Sequence, residues 1–132
     1  MIIDRTINIL HFEDDKVSQK LIKKRMKMEF HARVKTESTL HNLDIYFKTH
    51  LIDQFHVVIC DFCFPGESAD SKLEILAKSK KTIIFNTCLD EDDFHMAVWD
   101  KLGDIPSNFV FVRKADKLGL GPLISAIRNQ LR

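Results

Sequence analysis

Polar residues that could do chemistry stand where the apolar runs of this chain stop. Five of them are Glu13 and Asp14, Asp61, Thr87 and Lys114. Strand ends on one edge of a parallel sheet lie side by side, and open α/β folds place their sites there. Carboxylates that converge repel one another, so they need a hard cation such as Mg²⁺. The sequence therefore predicts a magnesium site at one sheet edge, with a lysine and a threonine beside it.

The elements that must position these residues follow from alternating strand and helix patterns. Short apolar runs predict strands at residues 7–12, 32–35, 56–60, 82–85 and 109–112. Helical spacing predicts helices from residue 15 or 16 to 28, and at residues 40–51, 73–78, 90–102 and 118–131. Continuous apolar runs are typical of strands buried on both faces. We expect a doubly wound, five-stranded parallel sheet with helices on each side.

Local signals refine the expected helices. In the first helix one side is apolar, formed by Val17, Leu21 and Met28, with Ile22 and Met26 adjacent. The hydroxyls of residues 36–39 are expected to cap the second helix, and Asp15 is a candidate cap of the first. Pro65 and Gly66 predict a loop.

Length and composition bound the functional classes. The chain has 132 residues, typical of one domain, and a net charge of +1 that names no partner. No apolar stretch is long enough to span a membrane, and the first residues lack a signal-peptide pattern. Three cysteines indicate reduced thiols and a cytoplasmic location. We expect a single domain over residues 1–132, with its core at about 7–131 and no effector domain.

Two local features allow other functions. Cys60 and Cys63 form a C-x-x-C around Asp61, but a redox pair normally opens a helix, and no second pair suggests zinc. Residues 16–27 carry six basic side chains and no acid, which allows DNA binding or a docking surface for a protein partner. A helix-turn-helix needs a second helix in the groove, and none is patterned here. We therefore expect no direct nucleic-acid binding.

The ordered set of motifs resembles the receiver domain of two-component response regulators, over essentially the whole chain. Four segments carry the resemblance: residues 9–15 (ILHFEDD), 57–66 (VVICDFCFPG), 83–87 (IIFNT) and 109–114 (FVFVRK). It implies a flavodoxin-like (βα)5 fold with strand order 2-1-3-4-5. It also implies a protein with no dedicated enzyme activity beyond phosphorylating and dephosphorylating its own aspartate.

The resemblance implies a role for each residue of the acidic edge. Asp61 would accept a phosphoryl group from a sensor histidine kinase, a histidine phosphotransfer protein or a small phosphodonor. Mg²⁺ would be held by Asp14, Asp61 and the backbone carbonyl of Cys63, with Glu13 acting through water. Lys114 would pair with Asp61 and then with a phosphoryl oxygen.

The resemblance also implies a switch. The Thr87 hydroxyl would bind a phosphoryl oxygen, and Phe111 would rotate into the space that Thr87 leaves. The face formed by the fourth helix, fifth strand and fifth helix would then change. A downstream protein target, or a homodimer linked to phosphorylation, would read that face.

Departures from the family pattern keep a second hypothesis open. Ala115 stands where many receivers have a proline with a cis bond, and Cys88 follows the threonine where a small residue is common. Residues 67–70 replace the usual Asp-Gly, and residues 101–108 form a longer connection than usual. The alternative is a pseudo-receiver, a protein-interaction module that works without phosphorylation.

Overall fold

Five parallel strands form the sheet that carries the polar strand ends. The computed structural model describes residues 6–114 and 119–132. The strands of the sheet are β1 (Asn8–Phe12), β2 (Arg33–Glu37), β3 (Val57–Cys60), β6 (Ile83–Thr87) and β7 (Phe109–Arg113). They lie in the order β2-β1-β3-β6-β7 across the sheet. The predicted strand order is confirmed, because β4 (Cys63–Phe64) and β5 (Glu67–Ser68) form a separate two-stranded hairpin.

Helices cover both faces of this sheet. They are α1 (Lys16–Phe30), α2 (Leu43–Lys48), α3 (Leu73–Lys78), α4 (Glu91–Leu102) and α5 (Gly121–Gln130). Short 3₁₀ segments lie at His50–Gln54 and Ala69–Lys72. Within the described ranges, none of the helices combines the length and the apolar character that a bilayer crossing requires.

The ends of α1 and α4 follow from their local sequence. Asp15 accepts a hydrogen bond from the Ser18 N–H at 2.9 Å and so caps α1, as expected. Asp90 caps the start of α4 in the same way, and Gly103 caps its end, with a φ of 78° that suits a residue without a Cβ. The acidic residues after Asp90 lie in the first turn of α4, where the positive end of the helix dipole stabilises them.

Two helix predictions are wrong in part. The second predicted helix, residues 40–51, is split into α2 and the 3₁₀ segment His50–Gln54. Its cap is Asn42, without a side-chain hydrogen bond, because residues 36 and 37 complete β2 instead. The fifth helix was expected from residue 118, which lies outside the described residues; the helix begins at Gly121, with Pro122 in its first turn.

The expected apolar side of α1 is also wrong in part. The core is contacted by Ile22 and Met26, whereas Val17 is 63% exposed and Met28 67% exposed. The five apolar residues span more than one side of a helix, and only the narrow stripe that meets the sheet is buried. Val17 and Met28 therefore lie at the surface beside the basic side chains.

Alternation along the strands divides the core into two clusters. Leu10 and Phe12 of β1 pack with Phe85 and with Phe94 of α4 on one face. Ile9 of β1 packs with residues of α1 and α5 on the other face, among them Ile22, Met26, Leu123 and Ile127. Each strand thus presents alternate residues to two helical layers.

Phe94 is the centre of an aromatic cluster on the α4 face. Its ring lies 5.6 Å from Phe62, 5.1 Å from Phe85 and 5.1 Å from Phe111, centroid to centroid, and it is fully buried. We predict that Phe94→Ala lowers the free energy of unfolding by about 3–5 kcal/mol, because it leaves a cavity. Urea denaturation measures the change. Trp99→Ala on the same helix is the control, since Trp99 is 58% exposed; equal losses in the two variants would contradict this assignment of the core.

Candidate functional site

Glu13 and Asp61 leave the sheet at adjacent strand tips. The register pairs Phe12 of β1 with Cys60 of β3, so the next residue of each strand follows at the same edge. The Asp61 N–H donates to the Phe12 carbonyl at 3.0 Å and extends the ladder by one step. Only 1% of Glu13 and 7% of Asp61 are exposed. Two carboxyl groups are therefore buried side by side.

Lys114 lies between these two carboxyl groups. Its Nζ donates to Glu13 Oε1 at 2.6 Å and to Asp61 Oδ2 at 2.7 Å. Its backbone N–H donates to the Thr87 carbonyl at 2.8 Å, which continues the pairing of β7 with β6. The sequence predicted the pair with Asp61, but it did not predict the pair with Glu13. The period-two alternation of the strand tips, which puts all three side chains on one face, is the signal that could have found it.

Asp14 completes a group of three acidic residues. One carboxylate oxygen from each of Glu13, Asp14 and Asp61 lies within 4.8 Å of the others. Oxygen ligands at such spacing suit a hard divalent cation, so the donor set fits Mg²⁺. The structure thus brings together three of the four residues predicted to bind the ion. For the fourth, Cys63, the observed contact is a 3.3 Å hydrogen bond from its N–H to Asp61 Oδ1.

Burial and charge perturb the titration of this cluster. Desolvation raises the pKa of Glu13 to about 7, against the opposing hydrogen bond from Lys114. Burial alone would lower the pKa of Lys114, but its hydrogen bonds to Asp61 and Glu13 outweigh burial and raise it. Lys114 therefore keeps its positive charge beside the Glu13 and Asp61 carboxyl groups.

Asp61 is oriented by the backbone that follows it. Its Oδ1 accepts hydrogen bonds from the Phe62 N–H at 2.7 Å and the Cys63 N–H at 3.3 Å, while Oδ2 faces Lys114. Both oxygens are therefore fixed by donors before any ligand binds. A preoriented carboxylate of this kind can attack an electrophile, or can share a cation with its acidic neighbours.

Thr87 and Phe111 lie on the other face of the sheet, towards α4. Thr87 is fully buried, and its hydroxyl accepts a 3.4 Å hydrogen bond from the Leu89 N–H. Phe111 is partly buried and contacts the Phe94 and His95 rings, at 5.1 and 6.4 Å between centroids. Thr87 adjoins Lys114 through the backbone, and Phe111 adjoins α4 through its ring. Ala115, which the sequence comparison with receivers singled out, lies outside the described residues, as does the peptide bond between Lys114 and Ala115.

The cysteines around Asp61 do not form a redox pair in this structure. All three, Cys60, Cys63 and Cys88, are free thiols. Cys60 is buried and donates its S–H to the Asp61 carbonyl at 3.0 Å. Burial raises the pKa of Cys60 and of Cys63, and the Asp61 carboxylate raises both further. Raised pKa values disfavour the thiolate that redox and zinc chemistry need.

His11 is a member of this edge that the sequence did not single out. It lies in β1, two residues before Glu13 and so on the same face, and it is 1% exposed. Its Nδ1 is buried and has no hydrogen-bond partner among the described residues. Burial lowers the pKa of His11 to about 4, and Lys114 lowers it while Asp61 opposes the shift. A neutral imidazole therefore lies beneath the charged cluster.

We predict that His11→Leu stabilises the protein at pH 7 by about 1–3 kcal/mol, because it removes an unpaired buried nitrogen. The advantage should grow as the pH falls from 6.5 towards 4, since the unfolded wild-type chain then binds a proton that the folded chain excludes. Urea denaturation across this pH range measures both effects. His41→Leu, at an exposed position, is the control; a variant that is less stable than wild type at every pH would contradict this account of His11.

Comparisons with known proteins agree on the fold. No protein-family model matches the sequence, and no curated protein matches it significantly. Solved structures do match. The BeF3-activated N-terminal receiver domain of Klebsiella pneumoniae RstA superposes with a TM-score of 0.72 and 19% identity, covering 95% of this chain and 98% of that one.

Two further structures extend the likeness. The Thermotoga maritima response regulator TrrA, in complex with Mg²⁺-BeF, gives a TM-score of 0.69 at 17% identity, covering 94% of this chain and 98% of that one. A response regulator receiver domain protein from Clostridium thermocellum gives 0.67 at 22% identity, covering 95% and 94%. The expected resemblance holds at the level of structure: this chain has the fold of response regulator receiver domains.

Proposed function

We propose that this chain is a cytoplasmic receiver domain that accepts a phosphoryl group on Asp61 in a phosphorelay. The observation that carries the proposal is the position of Lys114, within 2.7 Å of Asp61 and 2.6 Å of Glu13 at the edge where Asp14 also converges. Carboxylates and a lysine on separate strand tips are the parts that aspartyl phosphorylation needs. The receiver fold supports the same reading.

The reaction would transfer a phosphoryl group to a carboxylate oxygen of Asp61. With a phosphohistidine donor, the P–N bond breaks, an O–P bond forms, and the freed imidazole takes up a proton. With acetyl phosphate, a P–O bond breaks and acetate leaves. The backbone N–H groups of Phe62 and Cys63 hold Asp61 in one orientation during the attack.

The carboxylates at this edge repel the negative phosphoryl oxygens, so the site needs added positive charge. Asp14, Asp61 and the carbonyl of Cys63 would hold Mg²⁺, with Glu13 acting through water. The bound ion supplies charge neutralisation at the phosphoryl oxygens. The spacing of the three carboxylates fits this ion, and a solved relative of the same fold is a complex with Mg²⁺-BeF.

Lys114 would have two successive partners. In the resting state it pairs with both Glu13 and Asp61; when Asp61 carries a phosphoryl group, the ammonium would move to one of the new oxygens. Glu13 keeps a second hydrogen bond, at 3.3 Å from the Asp15 N–H, and so anchors Lys114 through the exchange. The lysine therefore stabilises both the acceptor and the product.

Thr87 and Phe111 would pass the change to the partner-binding face. Among the described residues, the Thr87 hydroxyl has one hydrogen bond to give up, the 3.4 Å bond from the Leu89 N–H, so it can turn towards a phosphoryl oxygen. Phe111 would then follow into the vacated space and alter its contact with α4. The expected partners are a sensor histidine kinase or phosphotransfer protein upstream, and a protein target or a second copy of the chain downstream.

The first test replaces the acceptor. We predict that Asp61→Asn abolishes Mg²⁺-dependent labelling by radioactive acetyl phosphate, because an amide oxygen is a poor nucleophile. Asp90→Asn is the matched control, since Asn also caps a helix and α4 should stay intact. A label that persists on Asp61→Asn would refute the assignment, and Asp90→Asn should keep the wild-type level of label.

The single tryptophan separates a working receiver from a pseudo-receiver. Trp99 lies on α4, and Phe94 of the same helix contacts the Phe111 ring. We expect its fluorescence to change saturably when beryllofluoride is added with Mg²⁺, as a working receiver requires. If the fluorescence of the wild-type protein stays unchanged, as we expect for Asp61→Asn, the phosphorylation-independent interaction module is favoured.

A second variant tests the double role of Lys114. We predict that Lys114→Met slows acetyl-phosphate labelling by roughly 10²–10³-fold, because a donor to the phosphoryl oxygens is lost. It should also tighten Mg²⁺ binding by roughly tenfold or more, since a cation near the carboxylates is gone. Isothermal titration calorimetry measures the affinity for Mg²⁺.

Lys72→Met is the control for that variant, because Lys72 is also partly buried and pairs with Asp44 at 3.0 Å. It should change neither quantity. Weaker Mg²⁺ binding in Lys114→Met would show that the lysine organises the carboxylates and does not compete for them.

A further inference from the structure

A basic groove lies at the amino-terminal ends of β1 and β2, whereas the acidic cluster lies at the carboxyl ends of the strands. It has a volume of about 830 Å³ and is lined by Thr6, Lys23, Lys27, His31, Ala32, Arg33 and Val34. These residues come from the last turns of α1, the start of β2 and the residues before β1. The helix α1 runs the length of the sheet, so a ligand in this groove would not touch Asp61.

The groove is positively charged. Lys23, Lys27 and Arg33 are exposed, and none of them forms an ion pair within the described part of the chain. By contrast, Arg25 on the same helix pairs with Glu29 at 3.2 Å. The α1 carbonyls of Met26 and Lys27 accept the N–H groups of Ala32 and His31, so the negative helix end is partly satisfied. Among the described residues, none that lines the groove carries a carboxylate.

One wall of the groove is the start of an edge strand. In the described sheet β2 pairs with β1 alone, so the backbone groups on its other side have no strand partner. Arg33 and Lys35 of β2 are exposed. An extended peptide can add to such an edge through main-chain hydrogen bonds, while alternate side chains meet the flanking residues.

We propose that this groove and the β2 edge bind an extended, carboxylate-rich segment of a partner protein. The edge supplies main-chain hydrogen bonds, and Lys23, Lys27 and Arg33 supply charge for acidic side chains. A concave site favours an extended chain over the convex phosphate backbone of a duplex or a flat anionic membrane. The described residues that line the groove include no aromatic side chain, so bases would find no stacking surface on them. This inference does not depend on the phosphoryl chemistry.

The test measures binding of a fluorescein-labelled peptide of alternating Glu and Val by fluorescence anisotropy, with a Lys and Val peptide as the opposite-charge probe. We expect the acidic peptide to bind and the basic peptide not to bind. Added salt should weaken the binding of the acidic peptide. Lys23→Glu combined with Lys27→Glu should lower the affinity by roughly tenfold, and Arg33→Glu should lower it several-fold.

The matched control is Lys78→Glu combined with Lys101→Glu, two exposed helical lysines away from the groove, which changes the net charge equally. It should leave the affinity within about twofold. Equal losses in the two double variants would overturn the proposal, because they would show only non-specific charge attraction. Absence of binding would overturn it too, as would a preference for duplex DNA or anionic vesicles over the peptide.

Discussion

The Lys114 ammonium group is the contact on which the acidic edge depends. It joins Glu13, 101 residues away along the chain, and Asp61, 53 residues away. Without that cation two buried carboxylates would face each other in a poorly solvated site, where one of them would have to take up a proton or leave the pocket. The same contact ties the tips of β1, β3 and β7 together. Chemistry and folding therefore share one interaction, and any second cation must share its ligands with Lys114.

Strand alternation separates the roles within the site. Glu13, Asp61 and Lys114 continue the face that packs on α1 and α5, whereas Thr87 and Phe111 continue the face that packs on α4. The acceptor chemistry we propose lies on one side of the sheet, and the proposed readout lies on the other. Thr87 connects them, because its carbonyl holds the Lys114 backbone while strand alternation places its side chain on the α4 face. A change at Asp61 thus has a short physical route to Phe111.

The predictable features of this chain are those set by local pattern and by strand order. Runs such as residues 57–60 are apolar on both faces and so indicate a central parallel strand. Once the strands are placed side by side, Glu13 and Asp61 must lie at neighbouring strand ends. Side-chain partnerships were harder to predict. The helical stripe of α1 that is buried depends on how the helix docks, which is why Ile22 and Met26 pack inside and Val17 does not. Strand alternation puts Glu13 and Lys114 on one face, but the distance that pairs them is set only by the folded sheet. The unpaired nitrogen of His11 likewise depends on which groups surround it in three dimensions.

A crystal structure of the protein grown with Mg²⁺ and beryllofluoride would test the central claim most directly. The account predicts beryllofluoride on an Asp61 oxygen, a metal ion between Asp14 and Asp61, and the Lys114 ammonium within hydrogen-bond distance of a fluorine atom while still touching Glu13. Density for an unmodified Asp61 still paired with Lys114, with no ion among the carboxylates at saturating Mg²⁺, would contradict it.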